Sequence, residues 1–418
     1  EVMPDEREVG LLSEKPVPAS GGRAPRASAR AITMNVVTSG LGSAIFSLPW
    51  SLAGSSILPA LLIMGLVLLA NAWTISIVVR AAERYSVFDL GGVIGRLPGR
   101  LGKPLQAATN VFVWASMFLC LVSYVIVIHD SALKFVRGTW LESRLVLVAL
   151  ASLCVLPLCF LNQQWLEKTS SVAIAVNIYL FGLLGVLYCQ AASDGDLPPG
   201  SCLLGSTVRG NFAMISVMFH AVVIQMCVLP MYAELENRSP QKFNKIVAVG
   251  FTILFVLFSG FSIAGYLLIG ENVKSNILQD LPRSTGSSIA QVGVMLVVAC
   301  VYPIMVYPMI APLQACQGDL CGVPRGLALA TAKCVIVAGA MLTALVVEEL
   351  GTVNVVNGAV SAAMCVAILP SVIGLVLLES GACGKAALVS LLVGGLAVSV
   401  FGLYFDRNYV EDLRCLVP

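Results

Sequence analysis

Eleven long, mostly apolar stretches follow one another along this chain, and few folds tolerate that pattern. They lie near 32–53, 57–80, 105–133, 144–161, 169–191, 211–233, 245–270, 288–313, 326–348, 352–379 and 386–405. A helix needs about 20 predominantly apolar residues to cross a bilayer. The third stretch is long enough to tilt, and the second and tenth hold almost no charge. A soluble protein of 418 residues would still need a charged skin, yet only 11% of this chain is charged, against roughly 25% in ordinary globular domains. The 58% hydrophobic content excludes disorder over most of the length. A net charge of +2 gives no basic face for nucleic acid. The sequence therefore predicts an all-α polytopic membrane protein of eleven transmembrane helices.

Charge in the connecting segments orients those spans. One side holds Arg7, Lys15, Arg23, Arg26, Arg30, Arg80, Arg84, Arg96, Arg100, Lys103, Lys168, Arg238, Lys242, Lys245, Arg325 and Lys385. The other holds Lys134, Arg137, Arg144, Arg209, Lys274, Arg283, Arg407 and Arg414. This asymmetry predicts a cytosolic N-terminus and, with an odd number of spans, an extracytosolic C-terminus. Lys333, about two turns into the ninth span, is either a fixed cation in a transport path or a lysine snorkelling to the interface. Residues 1–30 contain no apolar core of a signal peptide and read as a disordered cytosolic tail. Residues 406–418 read as a short extracytosolic tail. Of the 13 cysteines, Cys120, Cys154, Cys159, Cys227, Cys300, Cys334 and Cys365 sit in apolar runs and read as small buried hydrophobes. Cys202 and Cys415 lie outside the spans and are the candidates for bridges.

Two spans oppose a continuous helix. The first reads Asn35-Val-Val-Thr-Ser-Gly-Leu-Gly-Ser-Ala-Ile-Phe-Ser-Leu-Pro49, and the sixth reads Phe219-His-Ala-Val-Val-Ile-Gln-Met-Cys-Val-Leu-Pro230. Glycines, hydroxyls and a mid-span proline weaken the helical ladder. Irregular backbone at membrane depth is tolerated only where it lines a protein-enclosed cavity. The interruptions are five spans apart, which points to a 5+5 inverted repeat with a site at the midplane. The expected repeats are about 32–191 and 211–379, with an extra helix at about 386–405, all within a transporter domain of 31–405. Freed N–H groups at such a break bind an anion and freed carbonyls a cation, so a zwitterionic amino acid is a natural ligand. A packing notch between ordinary helices also accounts for Gly40 and Gly42 taken alone.

At these residues the chain resembles the amino acid/auxin permease family, within the larger APC superfamily. Thr38 to Pro49 resembles the family's Asn-x-x-x-Gly-Ser-Gly-x-x-x-Leu-Pro segment, with Gly42, Ser43 and Ala44 at the Gly-Ser-Gly. Val228-Leu-Pro-Met-Tyr-Ala-Glu-Leu235 is similar to its Leu-Pro-Ile-Tyr-x-Glu-Leu signature, and Tyr302-Pro-Ile-Met-Val-Tyr-Pro308 to its span-eight Val-Pro-x-x-x-Phe-Pro. Glu349-Leu-Gly-Thr and Ala367-Ile-Leu-Pro370 fit the ninth-to-tenth region. The resemblance implies a LeuT-like fold with broken helices one and six, and secondary transport of amino acids by alternating access. It departs at the positions associated with sodium. The family's span-one Asn falls on Thr38, and Ala299 to Val301 offer no aliphatic hydroxyl before Tyr302. Sodium, a hard cation wanting oxygen ligands by analogy with calcium and magnesium, has lost donors at both places. Proton coupling or uniport gains.

The substrate-binding candidates are Ser39, Gly40, Gly42, Ser43, Ala44, Asn110, Gln225 and Tyr302. His220, in the apolar run of span six, is the proton-coupling candidate, with a structural histidine as the alternative. His129, beside Asp130 at the outer end of span three, is expected at the interface. Asn110, Trp114, Met117, Leu121 and Tyr124 share one face of span three, a pattern that serves core packing as readily as a substrate wall. No Asp or Glu lies mid-span, so a cationic side chain would lack a partner, and small neutral amino acids are the expected cargo. No cofactor or metal motif is present, and no paired catalytic constellation falls inside the spans. An amino-acid-sensing receptor with little flux and a sodium-coupled symporter are the competing readings. A plasma membrane and an endolysosomal or vacuolar membrane are equally compatible with the sequence.

Overall fold

The computed structural model describes residues 27–99, 101–160, 170–198, 201–315, 324–379 and 381–405. Ser28 opens helix α1 (Ala29–Gly40) by accepting from the Ala31 N–H at 3.2 Å, as an N-cap should. The chain then leaves the helix, resumes as a 3-10 turn at Ser43–Ser47 and continues as α2 (Leu48–Ser55). Pro49 sits in the first turn of α2, where its missing N–H costs nothing. α3 (Ile57–Tyr85) ends on Ser86 in a left-handed conformation. The short α4 (Leu90–Gly95) is capped by Asp89, and α5 (Gly102–Val136) runs for 35 residues. After α6 (Arg144–Leu158) come α7 (Ser170–Asp194), α8 (Val208–Ala221) and α9 (Gln225–Glu234). Then follow α10 (Pro240–Ile269), α11 (Thr285–Ala315) and α12 (Arg325–Val346). The last are α13 (Leu350–Ser361), α14 (Leu369–Val376) and α15 (Ala382–Tyr404).

Among the described residues, nine helices are long and apolar enough to cross a membrane, and α1 with Ser43–Ser55, bent by 50°, makes ten. The fourth expected span is α6, whose 15 residues fall short of that length. The interruption in span six is gentler, and Val208–Glu234 still passes as one span. Burial separates centre from rim. In the stretches containing α8–α9 and α13–α14, 61% and 67% of the residues are covered by protein, against 11% for α7.

Small residues allow the central helices to approach. A Cβ on Gly210 of α8 would lie 1.8 Å from the carbonyl oxygen of Gly54 in α2, and one on Gly358 of α13 would lie 1.7 Å from that of Ser216 in α8. In this way α2, which follows the first break, is packed closely against α8, which precedes the second.

The tenth span is not the plain apolar helix its sequence suggests. Residues Ala362–Ile368 form a π-helical turn between α13 and α14. Pro370 has no N–H to return to Val366, and a change of hydrogen-bond register upstream accommodates that loss. The cysteines also differ from expectation. Cys159 and Cys365 are buried, but Cys154, Cys227 and Cys334 are not covered by protein, because a span's outer face meets lipid and has no need of a polar residue. Cys202 is disulfide-bonded, while Cys415 lies outside the described residues. So do Lys168, most of the N-terminal tail and residues 406–418. Lys333 donates to the Cys159 carbonyl at 2.8 Å and lies 5.0 Å from the centre of the Phe160 ring. It therefore caps the end of α6.

Candidate functional site

The break in span one falls at Leu41 and Gly42. Leu41 N–H bonds back to the Thr38 carbonyl at 3.1 Å, which closes α1, and Gly42 is extended at φ −99° and ψ −167°. The last carbonyls of α1 and the first N–H groups of the following turn lack intrahelical partners by construction, so the break presents both signs of backbone dipole. The two glycines part company here. A Cβ on Gly40 would meet the Leu254 side chain of α10 at 2.7 Å, whereas one on Gly42 would meet nothing within 4 Å. Gly40 is thus a packing position, and Gly42 opens onto free space although it lies in the middle of a span. Ser43 and Ala44 are buried beside it, and Ser39 is exposed with its hydroxyl returned to the Asn35 carbonyl at 2.8 Å. Thr38 donates likewise to the Met34 carbonyl at 2.8 Å.

In span six, α8 ends at Ala221 and α9 begins at Gln225, with the Ile224 N–H bonded to the Val222 carbonyl at 2.9 Å. His220 is half-buried in the last turn of α8, with no side-chain hydrogen bond or ion pair among the described residues. Gln225 is turned toward α3. Its Nε2 donates to Asn71 Oδ1 at 2.7 Å and to Thr74 Oγ1 at 3.4 Å, while its Oε1 is buried without a partner. The amide therefore anchors the restart of span six to span two.

The remaining candidates are spread along α5 and α11. Asn110 lines a cavity of about 190 Å³ with Gln106, Thr109, Gly91 and Met226, between α4, the first turns of α5 and the start of α9. Trp114, on the expected stripe, stacks on Phe118 with ring centres 5.6 Å apart and is exposed. Leu121 and Tyr124 are buried. The stripe is thus divided between the periphery and the core and forms no continuous wall. Tyr302 is fully buried with its ring 6.5 Å from that of Tyr124, and its hydroxyl has no partner. Ala299, Cys300 and Val301 are half-buried just before it.

Polar residues within the apolar spans knit α13 to α5 and to the turn at Ser43–Ser47, and the sequence alone assigned them no role. Asn354 of α13 donates to Ser47 at 2.8 Å and accepts from Ser123 of α5 at 3.3 Å, while Ser47 donates to the Ser275 carbonyl at 2.7 Å. One turn on, Asn357 accepts from Ser116 at 2.8 Å. A buried amide in an apolar run was the available signal, since such groups need partners. His129, expected at the interface, and the neighbouring Asp130 are covered by protein, at 5% and 2% exposure. The reason is the loop 270–284, which folds over them. Asn276 Nδ2 donates to Asp130 Oδ2 at 2.7 Å, and His129 Nδ1 lies 3.0 Å from Oδ1.

Glu349 stands at the adjoining end of α13. Burial first, then the nearby carboxylates of Glu348 and Asp130, push its carboxyl above the usual range. A raised carboxylate pKa means that the folded state resists ionisation, so this penalty is present above the folded pKa and vanishes below the unfolded one. Glu349→Gln is expected to raise the melting temperature at neutral pH, with the gain disappearing as pH falls through the carboxylate range. A thermal melt series against pH in detergent or nanodiscs checks this, and an equal gain at every pH would contradict it.

Over residues 25–405 the chain matches the family described as "Transmembrane amino acid transporter protein". It belongs to that family. Amino acid transporter AVT6E of Arabidopsis thaliana is 24% identical over 294 residues, which cover 65% of this chain and 60% of that protein. Vacuolar amino acid transporter 6 of Saccharomyces cerevisiae is 24% identical over 302 residues, covering 68% and 65%. The chain thus spans a little under two thirds of these two relatives. Sodium-coupled neutral amino acid symporter 2 of Danio rerio is 21% identical over 351 residues, covering 77% and 69%. Among solved structures, a manganese transporter of Eremococcus coleocola superposes with a TM-score of 0.56 at 10% identity, covering 90% of this chain and 87% of that one. Mhp1 in its inward-facing conformation gives 0.54 at 15%, covering 92% and 91%. At such identities the likeness shows the fold, which is LeuT-like and all-helical. The family and its relatives are transporters, not enzymes, and the chain is a multi-pass membrane protein.

Proposed function

We propose that this member of the transmembrane amino acid transporter family is a secondary carrier of small neutral amino acids, working by alternating access and coupled to protons or uncoupled. The observation that carries the reading is the break at Gly42, open on its side-chain face and lying between the carbonyl end of one helix and the N–H end of the next turn. The substrate's ammonium and carboxylate would be held there by backbone dipoles, with Ser39, Ser43 and Ala44 around it and Tyr302 and Asn110 on neighbouring spans. Gln225 acts in this scheme by fixing the restart of span six. The two repeats extend over about 32–191 and 211–379, with α15 outside them. Neutral cargo agrees with the absence of an unpaired carboxylate beside either break among the described residues.

The coupling ion follows from oxygen supply. Thr38 has its hydroxyl in an intrahelical bond, and Ala299 to Val301 bring no side-chain oxygen, which weighs against sodium. His220, without a hydrogen-bond or ion-pair partner among the described residues, is the candidate for carrying a proton. The disulfide at Cys202, between α7 and α8, supports an extracytosolic or lumenal position for that loop, and hence a cytosolic N-terminus. Resemblance to a vacuolar relative favours an endolysosomal or vacuolar membrane. Sodium-coupled symport is the second reading, favoured by the likeness to the Danio rerio symporter.

Reconstitution into proteoliposomes, with sodium and pH set independently, tests both. Counterflow of labelled neutral amino acids is expected, with net uptake following an imposed pH gradient or the substrate gradient alone. No exchange across the twenty amino acids would end the proposal. Strict dependence on sodium would replace it with the second reading.

A further inference from the structure

The signature at the exit of span six, Val228 to Leu235, served above only as a resemblance, yet three of its residues make specific ties. Ala27, two residues before α1, pairs with Leu235, the residue after α9, in a parallel β-bridge. Its N–H donates to the Glu234 carbonyl at 2.9 Å, and its carbonyl accepts from the Glu236 N–H at 3.0 Å. Leu235 is buried at this junction. Tyr232 donates to Glu83 Oε2 at 2.8 Å, near the end of α3. The same carboxylate oxygen lies 3.7 Å from Arg238 Nε, and the Arg238 guanidinium covers the Phe88 ring at 3.9 Å.

These ties join elements that the breaks would otherwise free. α1 and α9 are the two half-helices that lead from the breaks to the same side of the bundle. Each is separated from its other half by non-helical residues, so each could swing alone about its break. The bridge links their far ends through two backbone hydrogen bonds, and the Glu83 carboxylate holds the linked pair to α3. Tyr232–Glu83 is a hydrogen bond to an ionised acceptor, stronger than a neutral one.

We propose that the Ala27–Leu235 bridge and the Tyr232–Glu83–Arg238 cluster form a strap that makes α1 and α9 open and close as a single inner gate. Tyr232, Glu83 and Arg238 are positioning residues, acting on the transport path through the half-helices they hold. The proposal rests on the alternating-access reading for its purpose, but its test does not need a transported substrate.

That test is hydrogen–deuterium exchange on the full chain in lipid nanodiscs, following peptides from α1, α9 and, as control, α11. In Tyr232→Phe and Glu83→Gln, exchange is expected to rise about tenfold in α9 and by a similar factor in α1, a shift of the order one charged hydrogen bond supplies, with α11 unchanged. Ala27→Pro removes the N–H donor of the bridge while keeping its carbonyl acceptor and should loosen α9 as well as α1. Release of α9 alone in the Tyr232 and Glu83 variants, or of α1 alone in Ala27→Pro, would overturn the strap. So would unchanged exchange in all three. A variant that melts globally would raise exchange in α11 too, and the other two substitutions then carry the test. Absence of amino acid counterflow in wild-type protein that shows the coupled exchange would defeat the functional reading and leave the strap standing.

Discussion

Replacing Gly42 by valine is expected to lower amino acid uptake by about 100-fold while leaving the protein folded. The size follows from geometry, because a displacement of roughly 1 Å at a working site costs a factor of that order. Gly42 has an extended backbone that any L-residue adopts, and its missing Cβ would point into space with no atom within 4 Å. The substitution therefore introduces no strain and removes unfolded-state freedom, so the melting temperature should hold or rise slightly. Counterflow in proteoliposomes and a thermal melt on the same preparation check both halves. Near-normal transport by a well-folded Gly42→Val protein would place the substrate elsewhere. Gly40→Val is the matched contrast, since its side chain would strike Leu254 at once and act through α10 packing.

The second large effect concerns the scaffold. Gly358→Ala places a methyl group 1.7 Å from the Ser216 carbonyl oxygen and 2.4 Å from its carbon. Both atoms are backbone in α8, so no rotamer change relieves the clash, and α13 and α8 must move apart along their crossing. Overpacking costs typically 1–3 kcal/mol and more where the neighbours are rigid, so a loss of about 3 kcal/mol or greater is expected. The measurement is the fraction of monodisperse protein after solubilisation, together with its melting temperature. Wild-type behaviour would mean that the two helices have slack between them.

The same two glycines show where the sequence was informative and where it was not. The spans, their order and the positions of both interruptions were legible, because apolar length, proline and glycine act locally. That Gly40 packs while Gly42 faces open space was not, since the two differ only in which neighbour stands opposite them. Gln225 read as a binding candidate from the sequence, and its direction is set by Asn71 and Thr74, 154 and 151 positions away. His129, beside Asp130, read as interfacial from its place near a helix end. Nothing local announced that Asn276 would cover them. Span four shows the opposite limit, for its apolar run was plain in the sequence while its described helix stops at Leu158.

The π turn in the tenth span has a consequence for how that span serves two sets of neighbours. Each residue of an α-helix advances about 100° around the axis, so a turn wound with an extra residue changes the phase of everything beyond it. Before the turn, Asn354 and Asn357 meet Ser123 and Ser116 of α5. Beyond it, Ser371 donates to the Leu388 carbonyl of α15 at 3.0 Å. A straight helix of the same sequence could satisfy one of these faces but would rotate the other away from its partner. Deleting a single residue between Ala362 and Ile368 would thus act less as a shortening than as a twist, uncoupling α15 from the centre while the inner contacts stayed in place.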